Sequence, residues 1–83
     1  MVRHDGAEAK RERMEQISRK IQAALYIENP ISLSKIVAQV EYDFGLTKTR
    51  IREYLKTLQD LERFKIDEAN NQIRKVVEAE KHD

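Results

Sequence analysis

The 83-residue chain contains no cysteine and no tryptophan, and it has only one proline and two glycines. The lack of cysteine excludes a disulfide framework and any metal site built from thiolates. The two histidines, His4 and His82, lie near opposite ends of the sequence and do not supply a ligand set for a core metal site. We therefore predict neither a metal centre nor another cofactor.

Long apolar runs are also missing, since the longest is the five-residue stretch from Ala23 to Ile27. That length is far short of the roughly 20 residues that a membrane-spanning helix needs. No apolar signal-peptide core follows the first residues, so we expect a soluble cytoplasmic protein without a membrane partner. Charged residues make up 37 % of the chain but nearly cancel to +1, so only the distribution of charge can indicate a nucleic-acid partner.

The sequence contains none of the motifs that would indicate an enzyme. It has no glycine-rich phosphate loop, no nucleophile elbow and no Ser-His-Asp constellation. The neighbouring acids Asp60 and Glu62, or Asp67 and Glu68, are too close in sequence to face each other on a helix. We expect no catalytic activity and no small-molecule ligand.

Residues 7–29 are predicted to form the first helix, after a loose segment at residues 1–6, because they contain no glycine or proline and many helix-favouring residues. One apolar stripe occupies its second half and consists of Met14, Ile17, Ile21, Ala24 and Leu25. The first half is charged. It is either a solvated face, a surface for a second chain, or a phosphate contact through Lys10, Arg11 and Arg13.

The second helix is predicted to follow the stop at Asn29-Pro30, since proline cannot continue a helix. Ile31 can form a very short strand, Ser32 can cap the helix, and Gly45 can end it with positive φ. The apolar positions repeat at helical spacing and are Leu33, Ile36, Val37, Val40 and Phe44.

A third helix is predicted from the cap residue Thr47 to Glu62 or Arg63. One side is apolar and carries Ile51, Tyr54, Leu55, Leu58 and Leu61. Residues 47–56 hold four basic residues against one acid, a net charge of +3, whereas residues 28–46 and 60–68 each carry −2. The positive charge is therefore a bounded patch on this helix.

After the third helix the spacing of apolar residues changes to alternation, in residues 64–67 and again in residues 72–76. We interpret this as a β-hairpin whose turn contains Asn70 and Asn71, since asparagine tolerates left-handed backbone. A fourth helix using Ile73, Val76 and Val77 is the alternative. Residues 78–83 are predicted to be a polar tail.

Three helices followed by a hairpin give an α+β, mostly helical fold that resembles the winged helix-turn-helix proteins. The resemblance covers Ile17 to Val77 and rests on five apolar residues around the Gly45 turn: Val40, Phe44, Leu46, Ile51 and Tyr54. The closest likeness is to small archaeal, viral or plasmid-type transcriptional regulators. Three departures are Glu41 where the family prefers a small residue, Arg63 where a glycine often ends the helix, and a hairpin turn without glycine.

The resemblance implies a regulator that binds double-stranded DNA with the helix at residues 47–62 in the major groove. The implied major-groove residues are Thr47, Lys48, Thr49, Arg52, Glu53 and Lys56. The implied contacts to the flanking backbone are Arg50, Arg74 and Lys75, and those near the minor groove are Asn70, Asn71 and Gln72. We expect a homodimer with Met14 and Ile17 at its interface. The alternative function is a winged-helix module that binds another protein within a larger assembly.

Overall fold

The computed structural model describes residues 6–76, which form three helices and a three-stranded antiparallel sheet. In chain order the elements are α1 (Gly6–Ile27), β1 (Ile31–Ser32), α2 (Leu33–Phe44), α3 (Lys48–Asp60), β2 (Lys65–Asp67) and β3 (Gln72–Arg74). This α+β, mostly helical architecture confirms the predicted order of elements. The first five residues of the predicted loose segment, Val77 and the predicted polar tail lie outside the described residues.

The predicted caps of α2 and α3 are confirmed. Ser32 Oγ accepts a hydrogen bond from the Lys35 backbone N–H at 3.2 Å, and Thr47 Oγ1 accepts one from the Arg50 N–H at 3.2 Å. Gly45 ends α2 at a φ of 67°, where a residue with a Cβ is strained. The caps satisfy backbone donors that a helix start leaves without partners, so local sequence fixes where both helices begin.

The end of α3 lies at Asp60, before the predicted end at Glu62 or Arg63. Glu62 adopts a left-handed φ of 62°, and its N–H donates to the Gln59 carbonyl at 2.8 Å. The N–H of Arg63 donates to the Leu58 carbonyl at 3.0 Å, which completes a Schellman motif. The motif places a glutamate where glycine is usual, so no residue in the sequence signals it. Leu61, predicted on the buried face, is 56 % exposed.

The predicted hairpin is confirmed, because β2 and β3 pair antiparallel and Asn71 in the connecting turn has a φ of 55°. Strand β3 is the central strand of the sheet and also pairs with β1. Ile73 is the register partner of both Ile31 and Ile66. The alternative fourth helix is wrong for residues 71–76; Val77, which it also used, lies beyond the described range.

The hydrophobic core joins α1, α2, α3 and the sheet in one cluster. It contains the fully buried side chains of Ile17, Ile21, Ile51, Leu58, Phe64 and Ile73, among others. Phe64 and Ile73 bring the hairpin into the same core as the helices. No helix in the described range is both long and apolar enough to cross a bilayer.

A polar link on the surface of this core connects α1 with the segment after α3. Arg63 donates from Nη1 and Nη2 to the two carboxylate oxygens of Glu15, each at 3.0 Å, and from Nη1 to Ser18 Oγ at 3.1 Å. The hydrogen bonds from Arg63 hold the pKa of the Glu15 carboxyl below its usual value. A bidentate pair of this kind fixes orientation as well as distance, so it sets where the chain leaves α3.

Candidate functional site

The exposed face of α3 is the surface to which the sequence assigned its main contacts. Ile51, Tyr54, Leu55 and Leu58 are buried, whereas all predicted contact residues on this helix and its cap are exposed: Thr47, Lys48, Thr49, Arg50, Arg52, Glu53 and Lys56. A turn of about 100° per residue places Thr49, Glu53 and Lys56 directly opposite the buried side. The helix therefore presents a row of polar side chains outward.

Three of the four cations on α3 are paired with carboxylates. Lys48 Nζ lies 2.7 Å from Glu41 Oε1, and Arg50 Nε lies 3.8 Å from Glu53 Oε1. The fourth cation, Lys56, has no carboxylate within 4.0 Å in the described part of the chain.

The third pair joins α3 to the hairpin turn. Arg52 Nη1 lies 3.1 Å from Glu68 Oε2, although the two residues are 16 positions apart in sequence. Acids from the flanking negative segments thus fold back onto the basic patch. These carboxylates reduce the positive electrostatic potential of the patch, although its cations remain exposed.

A groove of about 290 Å³ runs between α3 and the hairpin. Its residues are Leu33, Arg52, Leu55, Lys56, Gln59, Ile66 and Glu68. Gln59 Oε1 accepts a hydrogen bond from the Ile66 backbone N–H at 2.6 Å, which holds β2 beside α3. A neighbouring hollow adds Lys65, Asp67 and Arg74, so Arg74 extends the same surface.

The hairpin turn is held against the start of α2 instead of projecting as an arm. Asn71 Oδ1 accepts from the Ser34 N–H at 3.0 Å, and Asn71 Nδ2 donates to Ser34 Oγ at 3.1 Å. Asn70 Nδ2 donates to Asp67 Oδ2 at 2.8 Å, and hydrogen bonds from Asn70 lower the pKa of the Asp67 carboxyl. The side-chain amides of both asparagines predicted near a minor groove therefore form hydrogen bonds with other residues of the chain.

Gln72, the third residue predicted near a minor groove, also makes an internal contact. Its Oε1 accepts a hydrogen bond from Arg74 Nη2 at 2.9 Å. Arg74 Nη2 also lies 3.9 Å from Asp67 Oδ2, so the arginine is shared between the two strands of the hairpin. Gln72 and Arg74 of the hairpin thus make contacts with the chain itself, and Arg74 stays exposed.

Lys75 does not join the surface formed by α3 and the hairpin. Its Nζ lies 5.6 Å from the centroid of the Tyr26 ring, and its backbone N–H donates to Asn29 Oδ1 at 3.1 Å. The hollow it lines is shared with Gln22, Leu25, Arg63 and Val76, none of which lines the α3 groove. Lys75 therefore lies apart from Arg74, with which the prediction groups it as a DNA-backbone contact.

Ile17 is fully buried in the core of its own chain, with 0 % of its surface exposed. Its predicted role as a dimer contact is wrong, because a second chain cannot reach a side chain that the first already encloses. Met14 is half-buried and packs on the edge of the same core, so it stays available at that edge. Residues 8–13 of α1 are all exposed.

Sequence reasoning missed Glu41, Gln59 and Glu68 as members of this surface. The negative charge of residues 28–46 was visible in the sequence, yet the partner of Glu41 lies across the turn, in α3. For Glu68 the partner Arg52 belongs to another element, and no local spacing signals that contact. Only the position of the hairpin beside α3 brings these groups together.

Comparison of the chain with protein-family models, curated proteins and solved structures finds no match. Within residues 6–76 no group of three or more histidine, cysteine or acidic side chains is arranged to hold a metal ion. Any functional assignment therefore depends on the geometry and charge of this surface.

Proposed function

We propose that the chain is a DNA-binding protein, a transcriptional regulator of winged helix-turn-helix type that places α3 in the major groove of double-stranded DNA. The observation that carries the proposal is the exposed face of α3, with Arg52 and Lys56 at the edge of a groove beside the hairpin. A helix about 10–12 Å wide fits a major groove about 12 Å wide.

The packing around the Gly45 turn supports this type of fold. Val40, Ile51 and Tyr54 are buried, and Phe44 and Leu46 pack on the edge of the core. These five residues are the ones by which the two helices of such a motif hold each other at a wide angle. Glu41, which departs from the family's small residue, leans outward to Lys48 and leaves the helix contact clear.

The chemistry of the exposed side chains suits the two kinds of contact that DNA offers. Arg52 can donate two parallel N–H groups to guanine O6 and N7, and Glu53 can accept from a cytosine amino group. Lys48, Lys56 and Arg74 are suited to phosphate contacts, which give affinity without sequence preference.

We also propose that the protein acts as a homodimer, because one small module supplies a limited interface with DNA. Residues 8–13 of α1, which are exposed, and the half-buried Met14 form the proposed contact. Two copies related by a two-fold axis would read two half-sites of an inverted repeat.

The proposal is tested by titrating a fluorescent random-sequence duplex with the protein at several salt concentrations and measuring anisotropy. A protein that makes about five phosphate contacts gives a log–log salt slope near −4 to −5. The double variant Arg52→Ala/Lys56→Ala should bind much more weakly. The control Arg19→Ala/Lys35→Ala removes the same charge from exposed positions on α1 and α2 and should bind like wild type.

The second candidate function is a module that binds another protein. The observation in its favour is that Lys48, Arg50 and Arg52 are each within 4 Å of a carboxylate, which lowers the attraction for a polyanion. No anisotropy change with duplex DNA, even at low salt, would reject the first proposal and favour this one.

A further inference from the structure

The contact between Arg52 and Glu68 joins α3 to the hairpin turn and uses one nitrogen of the guanidinium. Arg52 Nη1 donates to Glu68 Oε1 at 3.2 Å and to Oε2 at 3.1 Å. The side chain of Arg52 is 50 % exposed and that of Glu68 is 68 % exposed. An ion pair this exposed adds little to the stability of the fold. Since it lies on the surface proposed to bind DNA, it can instead act in binding.

Both hydrogen bonds use Nη1, so the contact with Glu68 does not use the Nε and Nη2 donors. An arginine has five N–H donors in a rigid planar fork. Nε and Nη2 share the edge away from Nη1, and their N–H bonds point in parallel. That edge can donate two bonds to the O6 and N7 atoms of guanine.

Hydrogen bonds hold the backbone of the hairpin turn that carries the Glu68 carboxylate. The Glu68 carbonyl accepts from the Asn71 N–H at 3.1 Å, and the Asn71 amide is bonded to Ser34 at the start of α2. The Gln59 contact with Ile66 fixes the preceding strand against α3. Arg52 lines the same groove as Leu55 and Ile66. Both ends of the pair are therefore held by the fold.

We infer that Glu68 is a positioning residue that orients Arg52 to read guanine and so determines the sequence specificity of the surface. This inference rests on the proposed DNA-binding function. Glu68 also cancels one positive charge next to the DNA backbone, which lowers affinity for every duplex. Both effects of Glu68 raise the discrimination between DNA sequences. The unspecific attraction of the protein for DNA falls, while Arg52 is already oriented for its contact with guanine.

A purely competitive role predicts a different outcome. If Glu68 only competed with DNA for Arg52, its removal would raise the affinity for all sequences, and by at least as much for the duplex whose guanine Arg52 contacts. The ratio of specific to unspecific affinity would then stay constant or rise. An orienting carboxylate instead requires that this ratio falls when the carboxylate is lost.

The experiment begins with selection of bound sites from a pool of random duplexes by the wild-type protein. The selected duplex and the same duplex with one guanine pair replaced are then titrated with wild type, Glu68→Gln, Arg52→Ala and Glu28→Gln. Glu28→Gln makes the same charge change at an exposed residue just after α1 and serves as the matched control. Thermal unfolding of each variant checks that the fold is retained.

We expect Arg52→Ala to reduce the preference for one guanine by about five- to 150-fold, the value of a bidentate contact. Glu68→Gln should reduce the same preference by about threefold or more while affinity for the replaced duplex rises. Glu28→Gln should leave the preference unchanged, and the melting temperature of Glu68→Gln should stay close to that of wild type.

An unchanged preference in Glu68→Gln, with higher affinity for both duplexes, overturns the positioning role and leaves the proposed function intact. A wild-type protein that selects no site and shows no salt-dependent binding overturns the proposed function and the inference together. Loss of guanine preference in the Glu28→Gln control would show that charge alone sets specificity, which also overturns the inference.

Discussion

Glu41 Oε1 accepts a hydrogen bond from Lys48 Nζ at 2.7 Å, so the last turns of α2 are tied to the first turn of α3 across Gly45. The family that the sequence resembles prefers a small residue at the position of Glu41. The outward lean of this side chain explains why a glutamate is tolerated there. The contact with Glu41 also engages the ammonium group of Lys48, which is proposed to bind a DNA phosphate.

Replacement of Glu41 by glutamine should strengthen binding to all duplexes alike. The change frees Lys48 for a phosphate and removes one negative charge from the surface, while no base contact is altered. We expect about a two- to fivefold gain in affinity at low salt that shrinks as salt is raised. Anisotropy titrations against two unrelated duplexes measure this, and a gain restricted to one sequence would contradict it.

Lys56 and Lys75 should differ in their importance for DNA binding although both are exposed lysines. Lys56 borders the groove beside α3, whereas Lys75 lies over the Tyr26 ring near the end of α1. Lys56→Ala should lower affinity for all sequences and reduce the salt slope by about one. Lys75→Ala, the matched control, should leave the slope unchanged. Equal effects of the two variants would show that the proposed surface extends to the end of α1.

The pair of Glu15 and Arg63 should make stability depend on acid pH. The hydrogen bonds from Arg63 depress the pKa of Glu15 below its ordinary value of 4.5, so the folded state binds its proton less readily than the unfolded state. The resulting stabilisation is present above pH 4.5 and is lost as pH falls through the lower folded pKa. Thermal unfolding of wild type and Glu15→Gln from pH 7 to pH 2 should show the two melting temperatures converging.

A double-mutant cycle separates this pair from the other acids. In the Arg63→Met background, Glu15→Gln should have little further effect on the melting temperature at pH 7. The pKa values of Asp43 and Asp67 are also depressed, by hydrogen bonds from Lys20 and Asn70 respectively, so wild type still loses stability in acid without Glu15. A difference between wild type and Glu15→Gln that persists at pH 2 would contradict the assignment.

Gly45→Ala should destabilise the fold by about 1–2 kcal/mol, because φ at this position is 67° and a Cβ is disfavoured in left-handed backbone. A Cβ built there meets no heavy atom within 4 Å, so the cost is conformational and not a clash. Gly45→Asn should cost less, since asparagine tolerates this conformation. Urea unfolding measures both, and an alanine variant as stable as wild type would show that the turn adopts another conformation.

Met14→Lys should weaken the proposed dimer without unfolding the chain, since Met14 packs only on the edge of the core and a lysine stem can cover the same surface. Sedimentation over a range of concentrations should show a lower average mass than for wild type. Ala38→Lys, at an exposed position of α2, is the control and should sediment like wild type. A wild-type protein that is monomeric at every concentration would contradict the dimer proposal.

The caps and periodic apolar residues made most of the fold predictable from sequence. Ser32, Gly45 and Thr47 act through hydrogen bonds and φ preferences within a few residues, so local sequence decides where α2 begins and ends and where α3 begins. The alternation around Ile66 and Ile73 was enough to indicate the hairpin. The end of α3 was not predictable, because Glu62 adopts a conformation that favours glycine.

The candidate site was predictable only in part. Sequence alone determined that the cations of residues 47–56 share one helix face, since helical spacing fixes which side chains point away from the apolar residues. Tertiary structure decided which partners those cations meet: Glu68 reaches Arg52, Glu41 reaches Lys48, and Lys75 is placed at the end of α1. The reason is physical, because these contacts join different elements whose relative positions are set by packing of the shared core.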